Sequence, residues 1–270
     1  MKNNFSKYST YIFDLDGCIH FGETVAPGAS ELVSLLKNQG KRIAFLSNNS
    51  THSPRSMQDK LRGMGISVKR EQIFLASTIT GIHLLQRFGG TSVCVAGTKS
   101  LVREIESFGH TCIPIHSENA CTIMLLGRDT AFSMDTLRHC ARHVQQGAEF
   151  YSTNMDLYHP RDDGMREPET GSLAAAVEAV TGRKPQAVTK PEGYAFQHIL
   201  DTLGVTPSEC LMVGDTPATD IAGAIAAGID ACWLTNNATQ YPDNLKEPRL
   251  VLPSTYALYQ TVAQSHHQPL

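Results

Sequence analysis

Long apolar runs are the first thing this sequence lacks. No stretch approaches the roughly 20 apolar residues of a membrane helix, and even Ile221 to Leu234 is interrupted by Asp230. The apolar stretch of a secretion signal is missing too, because Asp14 and Asp16 break it just behind the amino terminus. Patterned cysteine is also lacking. Cys18, Cys94, Cys112, Cys121, Cys140, Cys210 and Cys232 form no Cys-x-x-Cys pair. Segments such as Ser92-Val93-Cys94-Val95 put the thiols in apolar surroundings, where they behave as small hydrophobes. Such an odd, scattered set suits a reducing compartment better than a disulfide framework. Nor is there a surplus of one charge: 23 basic against 26 acidic residues leave a net −3. That balance argues against nucleic acid as the main partner. The expectation is a cytoplasmic protein with no membrane segment.

What is present is an ordinary folded composition, 41% apolar and 18% charged, over 270 residues, enough for one large domain or two modest ones. The stretch Tyr11-Ile12-Phe13-Asp14-Leu15-Asp16-Gly17 stands out. A short apolar run closed by glycine reads as a buried strand meeting a turn. Unpartnered buried charge is costly, so both carboxylates belong where the strand leaves the core. Residues two apart on a strand share a face, which lets Asp14 and Asp16 converge on one ligand. An aspartate there can act as a nucleophile and its neighbour as a proton carrier. Taken alone, the motif fits a solvated turn as well.

Along the chain, strands alternate with helices. The reading gives strands at Arg42–Leu46, Ile73–Leu75, Ser92–Ala96, Cys121–Leu126, Glu149–Ser152, Cys210–Val213, Ala231–Leu234 and an edge strand at 250–252. Helices fall between them, one opened by Pro27-Gly28 and carrying Leu32, Leu35 and Leu36 on one face. Residues 18–23 read as an irregular flap, and 154–168 as a loop rich in charge and proline. This alternation predicts an α/β fold, a Rossmann-like doubly wound parallel sheet. The expected core is 1–89 with 185–270, interrupted by an inserted αβ domain at 90–184. His139 and His143, four apart beside Cys140, lack the metalloprotease pattern and read as a solvated helix face. His266-His267 reads as a tail.

Polar clusters follow the apolar strands or open helices: Asp14-Leu15-Asp16-Gly17, Ser47-Asn48-Asn49, Thr189-Lys190-Pro191, and Gly214-Asp215 with Thr219-Asp220. Together they offer a nucleophile, a proton carrier, a hydroxyl, a lysine and carboxylates for a cation, an inventory suited to phosphoryl transfer. In this order the four motifs resemble those of the haloacid dehalogenase (HAD) superfamily. The insertion of about 95 residues, with Gly127-Arg128-Asp129, Thr153-Asn154-Met155-Asp156 and Thr170-Gly171-Ser172-Leu173-Ala174-Ala175-Ala176, resembles the cap of its NagD-like branch, subfamily IIA. That branch includes p-nitrophenyl, sugar, nucleotide and pyridoxal phosphatases.

The resemblance implies roles. Asp14 matches the nucleophile, Asp16 the general acid/base, Ser47 the hydroxyl that contacts the phosphoryl group, and Lys190 the charge-neutralising lysine. Asn48 and Asn49 line the same loop as Ser47, where they either touch substrate or shape the turn before the next helix. Magnesium would be held by Asp14, the backbone carbonyl of Asp16 and Asp215, with Asp220 in support, an all-oxygen set that suits a small hard cation. His159, in Tyr158-His159-Pro160 ahead of Asp162-Asp163-Gly164, matches a substrate-touching histidine of pyridoxal phosphatases. The implied function is a magnesium-dependent phosphatase for a small phosphorylated metabolite, with the cap over the site and with dimerisation through the cap common in the branch. A phosphotransferase or mutase on the same core, or a phosphate-binding protein without turnover, are the alternatives. The pattern departs from the family at Thr189, Cys18-Ile19, Met155 and Thr235-Asn236-Asn237, where loop geometry is most open to change.

Overall fold

The computed structural model describes residues 5–160 and 165–266, so Asp162, Asp163, Gly164 and His267 lie outside it. The chain packs as two compact bodies. One takes Met1–Ser47, Pro54–Phe74 and Lys190–Leu270; the other takes Asn48–Ser53 and Leu75–Thr189.

In chain order the first body begins with β1 (Thr10–Phe13), the short hairpin β2 (His20–Phe21) and β3 (Thr24–Val25), α1 (Ala29–Asn38), β4 (Arg42–Ser47), α2 (Pro54–Gly63) and β5 (Ile73–Leu75). The second body holds α3 (Ala76–Phe88), β6 (Ser92–Ala96), α4 (Lys99–Ser107), β7 (Thr111–Ile113), β8 (Ile123–Leu126), α5 (Met134–Gln145), β9 (Glu149–Ser152), β10 (Tyr158–Pro160), β11 (Arg166–Pro168) and α6 (Thr170–Thr181). The chain then returns to the first body through α7 (Gly193–Leu203), β12 (Cys210–Gly214), α8 (Ala222–Ala226), β13 (Asp230–Leu234), β14 (Leu250–Leu252) and α9 (Thr255–His266).

The first body is built on a six-stranded sheet in the order β14-β13-β12-β1-β4-β5. β1 pairs in parallel with β12 on one side and β4 on the other. All four residues of β1 are buried, as befits a strand covered on both faces of a parallel sheet. Tyr11 stacks near Phe13, and Phe13 tilts against Phe45 of β4. The chain leaves β1 toward β4 and β5 on one side, and β12 to β14 fill the other. The order reverses between β1 and β12, so a crevice opens at their carboxyl ends. The edge strand expected at 250–252 is β14.

The second body has its own sheet, β7-β6-β8-β9, all in parallel. Its core gathers Cys94, Met124, Leu126, Cys140, Val144, Phe150, Ala174 and Val177. Helix α3 packs here rather than on the first sheet. Thr78 Oγ1 donates to Glu104 of α4 at 2.6 Å, His110 meets the Gly81 carbonyl at 3.3 Å, and a side chain at Gly81 would collide with the Phe108 ring. The compact body therefore begins at Leu75, ahead of the 90 expected from sequence, and runs to Thr189, past the 184 expected.

Three short pieces differ from the sequence reading. Residues 20–25 form the β2–β3 hairpin, with His20 facing Val25. The loop at 154–168 contains β10 and β11, paired antiparallel with Tyr158 opposite Pro168. β7 is three residues long at a sheet edge, too brief for an alternating pattern to register.

Candidate active site

Three strand ends of the first body bring the polar groups together. β1 ends in Asp14, whose amide donates to the Val213 carbonyl of β12 at 2.9 Å. β12 is followed by Asp215, and β4 ends in Ser47, which is buried. Asp220 lies in a π turn, Pro217–Ile221, ahead of α8. That turn delays the helix, which begins at Ala222. Thr216 N donates to Asp220 Oδ2 at 3.0 Å and fixes the carboxylate.

Lys190 supplies the buried cation. Its Nζ lies 2.5 Å from Asp14 Oδ1 and 2.7 Å from Asp220 Oδ1. All three residues are at least nine-tenths buried, with relative exposures of 3% for Lys190, 7% for Asp14 and 1% for Asp220. Carboxylate oxygens of Asp14, Asp215 and Asp220 lie within 4.8 Å of one another. Glycine makes the crowding possible. A side chain at Gly17, which has φ +80°, would overlap the Asp215 carboxylate, and one at Gly214 would overlap Asp220.

The electrostatics follow from this packing. Burial pushes the Asp14 carboxyl well above the usual carboxylate range; Lys190 pulls it down, while Asp220 and Asp215 push it up. Asp215 is pushed up to about 7, by burial first and by the Asp220 charge second. Burial pulls Lys190 down, but Asp14 and Asp220 outweigh it and hold the ammonium well above the ordinary lysine value. Two carboxylates thus share one ammonium with a third close beside them, and further positive charge would relieve all three. An all-oxygen donor set of this kind fits a hard divalent cation.

Asp16 is placed differently. Its side chain is 61% exposed and meets the buried His20 at 3.4 Å. The turn around it is tightly made: Gly17 N donates to the His20 carbonyl, and both Ile19 N and His20 N donate to the Leu15 carbonyl. Its supports come from far along the sequence. Asn236 Nδ2 donates to the Gly17 carbonyl at 2.5 Å, and Thr255 Oγ1 to the Cys18 carbonyl at 2.5 Å. Asn236 and Asn237 have φ of +44° and +74°. Asparagine tolerates that region better than most residues, so the turn forms here without glycine. Trp233 Nε1 donates to the Asp215 carbonyl at 2.9 Å. None of His20, Trp233 and Thr255 was picked out from sequence, since each acts through contacts that local patterning does not encode.

Asn48, Asn49 and His159 belong to the second body. Asn48 Nδ2 donates to Asp156 Oδ2 at 3.0 Å. Asn49 Oδ1 accepts from the amides of Thr51 and His52, each at 3.0 Å, a turn-shaping use of the side chain. His159 Nδ1 lies 3.5 Å from Glu169 Oε1, the same oxygen that Arg128 Nε approaches at 3.1 Å. The helix carrying His139 and His143 is not solvated throughout: His143 is 1% exposed. It points into the core of α5's packed face, so the sequence reading is corrected there. Among the described residues, no helix is long and apolar enough to cross a membrane.

The chain is similar to known proteins over most of its length. Residues 11–111 match the family model for haloacid dehalogenase-like hydrolases, and 187–258 match a second HAD-like hydrolase model. A 5'-nucleotidase, YutF, from Bacillus subtilis is 33% identical over 250 residues, 92% of this chain and 96% of that protein. An acid sugar phosphatase from Staphylococcus aureus is 30% identical over 237 residues, 88% of this chain and 90% of that one. A solved structure of a putative NagD protein superposes with a TM-score of 0.86 at 29% identity, covering 96% of this chain and 99% of the other. With the strand-end carboxylates and buried lysine in place, the chain belongs to the haloacid dehalogenase-like hydrolases, in their NagD-like branch, and is an enzyme of the phosphatase class.

Proposed function

We propose that the protein is a magnesium-dependent phosphatase that hydrolyses a small phosphorylated metabolite through a phosphoryl group carried on Asp14. The observation that carries this reading is the single Lys190 ammonium shared by two buried carboxylates, with a third alongside. Asp14 is the nucleophile because it alone combines a strand-end position with direct contact to that lysine. Its oxygen forms the new bond to phosphorus while the bond to the leaving oxygen breaks. Lys190 holds the attacking carboxylate in place and offsets charge as the anionic group approaches.

Asp16, exposed beside the buried cluster, gives a proton to the leaving oxygen and then takes one from the water that cleaves the acyl phosphate. Ser47 orients the phosphoryl oxygens. Asp14, Asp215 and the Asp16 carbonyl would hold magnesium, with Asp220 in support; when bound, the ion supplies positive charge that lets two anions meet. Asn48, Asn49 and His159 contribute to substrate choice. The names of the relatives support a sugar phosphate or a nucleoside monophosphate, and the Tyr158-His159-Pro160 stretch adds pyridoxal phosphate.

A phosphate-release screen over these three classes, with magnesium and with Asp14→Asn as control, tests the reading. Free phosphate from at least one class, abolished in D14N, is the expected result. Activity that survives D14N refutes the assigned nucleophile. Transfer to an organic hydroxyl, with no free phosphate, would make the enzyme a phosphotransferase.

A further inference from the structure

The second body contains a group of side chains that the phosphatase reading does not use. Cys94 sits in the middle of β6, Cys121 just ahead of β8, and His143 on the inward face of α5. They are 27 and 22 positions apart in the sequence, so no motif announces them. In the fold, the two sulfurs and an imidazole nitrogen lie within 4.8 Å of one another. Cys94 Sγ is 3.4 Å from His143 Nε2. Cys94 is fully buried and Cys121 is 9% exposed.

We propose that Cys94, Cys121 and His143 form a binding site for a thiophilic cation, zinc in the first instance. The distances carry the argument. Zinc binds thiolate at about 2.3 Å and imidazole at about 2.0 Å in a tetrahedron, which sets ligand edges of about 3.6 Å for sulfur to nitrogen and about 3.8 Å for sulfur to sulfur. The observed sulfur-to-nitrogen separation is already close to that edge. The Ile115 carbonyl oxygen lies 2.9 Å from the same His143 nitrogen, near enough to serve as a fourth ligand once the imidazole proton moves to Nδ1. That proton would lie on a buried Nδ1 with no hydrogen-bond partner among the described residues, a cost that the metal–ligand bonds must outweigh.

The donor set distinguishes this place from the carboxylate cluster of the first body. Two sulfurs and a nitrogen select a soft or borderline ion, whereas carboxylate oxygens select a hard one. The bound ion would tie α5 to β6 and to the start of β8, two strands already paired with each other in the sheet, adding to the apolar packing and the contacts of His143. Free-thiol packing is the competing account, since buried cysteine is a common small hydrophobe. It predicts no metal.

The experiment uses the full-length protein, reduced, stripped with a chelator, and then given zinc alone or cobalt alone. About one zinc per chain should remain after gel filtration, both in the wild type and in D215N, which removes a carboxylate from the other cluster. Cobalt should produce a sulfur-to-metal charge-transfer band. Cys121→Ser should lose the zinc and the band while keeping its far-ultraviolet circular dichroism. A wild type that keeps no zinc, or a C121S protein that keeps as much as the wild type, overturns the assignment. Should C121S not fold, the wild-type cobalt spectrum decides: a thiolate band supports the site, and oxygen ligation alone overturns it.

Discussion

The crowded carboxylates make a prediction that runs against ordinary intuition about active-site mutations. Asp215→Asn should make the metal-free protein more stable at neutral pH. In the folded chain the Asp215 carboxyl titrates at about 7, against an ordinary value of 3.8, because burial and Asp220 disfavour its charge. A folded-state value raised above the unfolded one means that the native state binds the proton more tightly. Stability is then highest below the unfolded value and falls as pH rises toward 7, levelling off above it. At 1.36 kcal/mol per pH unit the full effect is about 4 kcal/mol for this residue. Coupling to Asp14 and Asp220 spreads the transition over a wider pH range. D215N removes the titrating group and should flatten this part of the profile. Urea denaturation in chelator at pH 4.5, 6 and 8 measures it. Wild type and D215N should be close at pH 4.5 and diverge by a few kcal/mol at pH 8, with D215N the more stable. Added magnesium should narrow the gap by stabilising the wild type. Equal pH slopes for the two proteins would refute the reasoning, because the charge at 215 would then carry no folding cost.

Three further outcomes follow from the same geometry. Lys190→Met leaves Asp14 and Asp220 buried without their cation and should cost about 3–5 kcal/mol of stability, alongside loss of phosphate release; chemical denaturation at pH 7 in chelator checks it. Gly17→Ala forces a side chain into the left-handed region and onto the Asp215 carboxylate, so it should cost at least about 1–2 kcal/mol and sharply reduce turnover, read by thermal unfolding and phosphate release. His159→Ala should raise the Michaelis constant for the best substrate far more than it lowers turnover, and an unchanged constant would remove His159 from substrate recognition.

Legibility from sequence tracked locality. Asp14, Ser47 and Asp215 stood out because each directly ends or follows an apolar strand, and strand ends of a parallel sheet meet on one side. Lys190 is preceded by a loop; the polar cluster Thr189-Lys190-Pro191 drew attention to it, but its charge-neutralising role came only from the resemblance to a known family. The ion pairs that fix its role span 176 and 30 positions. His143 was misjudged because charged and polar neighbours such as Arg138, Arg142 and Gln145 made the helix look solvated, whereas α5 buries Cys140, Ala141, His143 and Val144 on one side. The π turn at 217–221 escaped as well, since its sequence carries ordinary helix-start residues. The helix just ahead of residue 90 was legible, but the body it joins was not, because the contact that decides is the seat of Phe108 against Gly81, 27 positions away.

The return of the chain at Lys190 also sets a timetable for synthesis on the ribosome. Asp14 emerges early, but the ammonium that neutralises it is made 176 residues later, and Asp215 and Asp220 later still. Residues 75–189 are contiguous, so their own sheet has all its strands before the first sheet has received β12. The nucleophile's strand must therefore wait, half-paired, while an entire second body is completed behind it. Domains generally fold as units during translation, and here the unit that begins first is the one that finishes last.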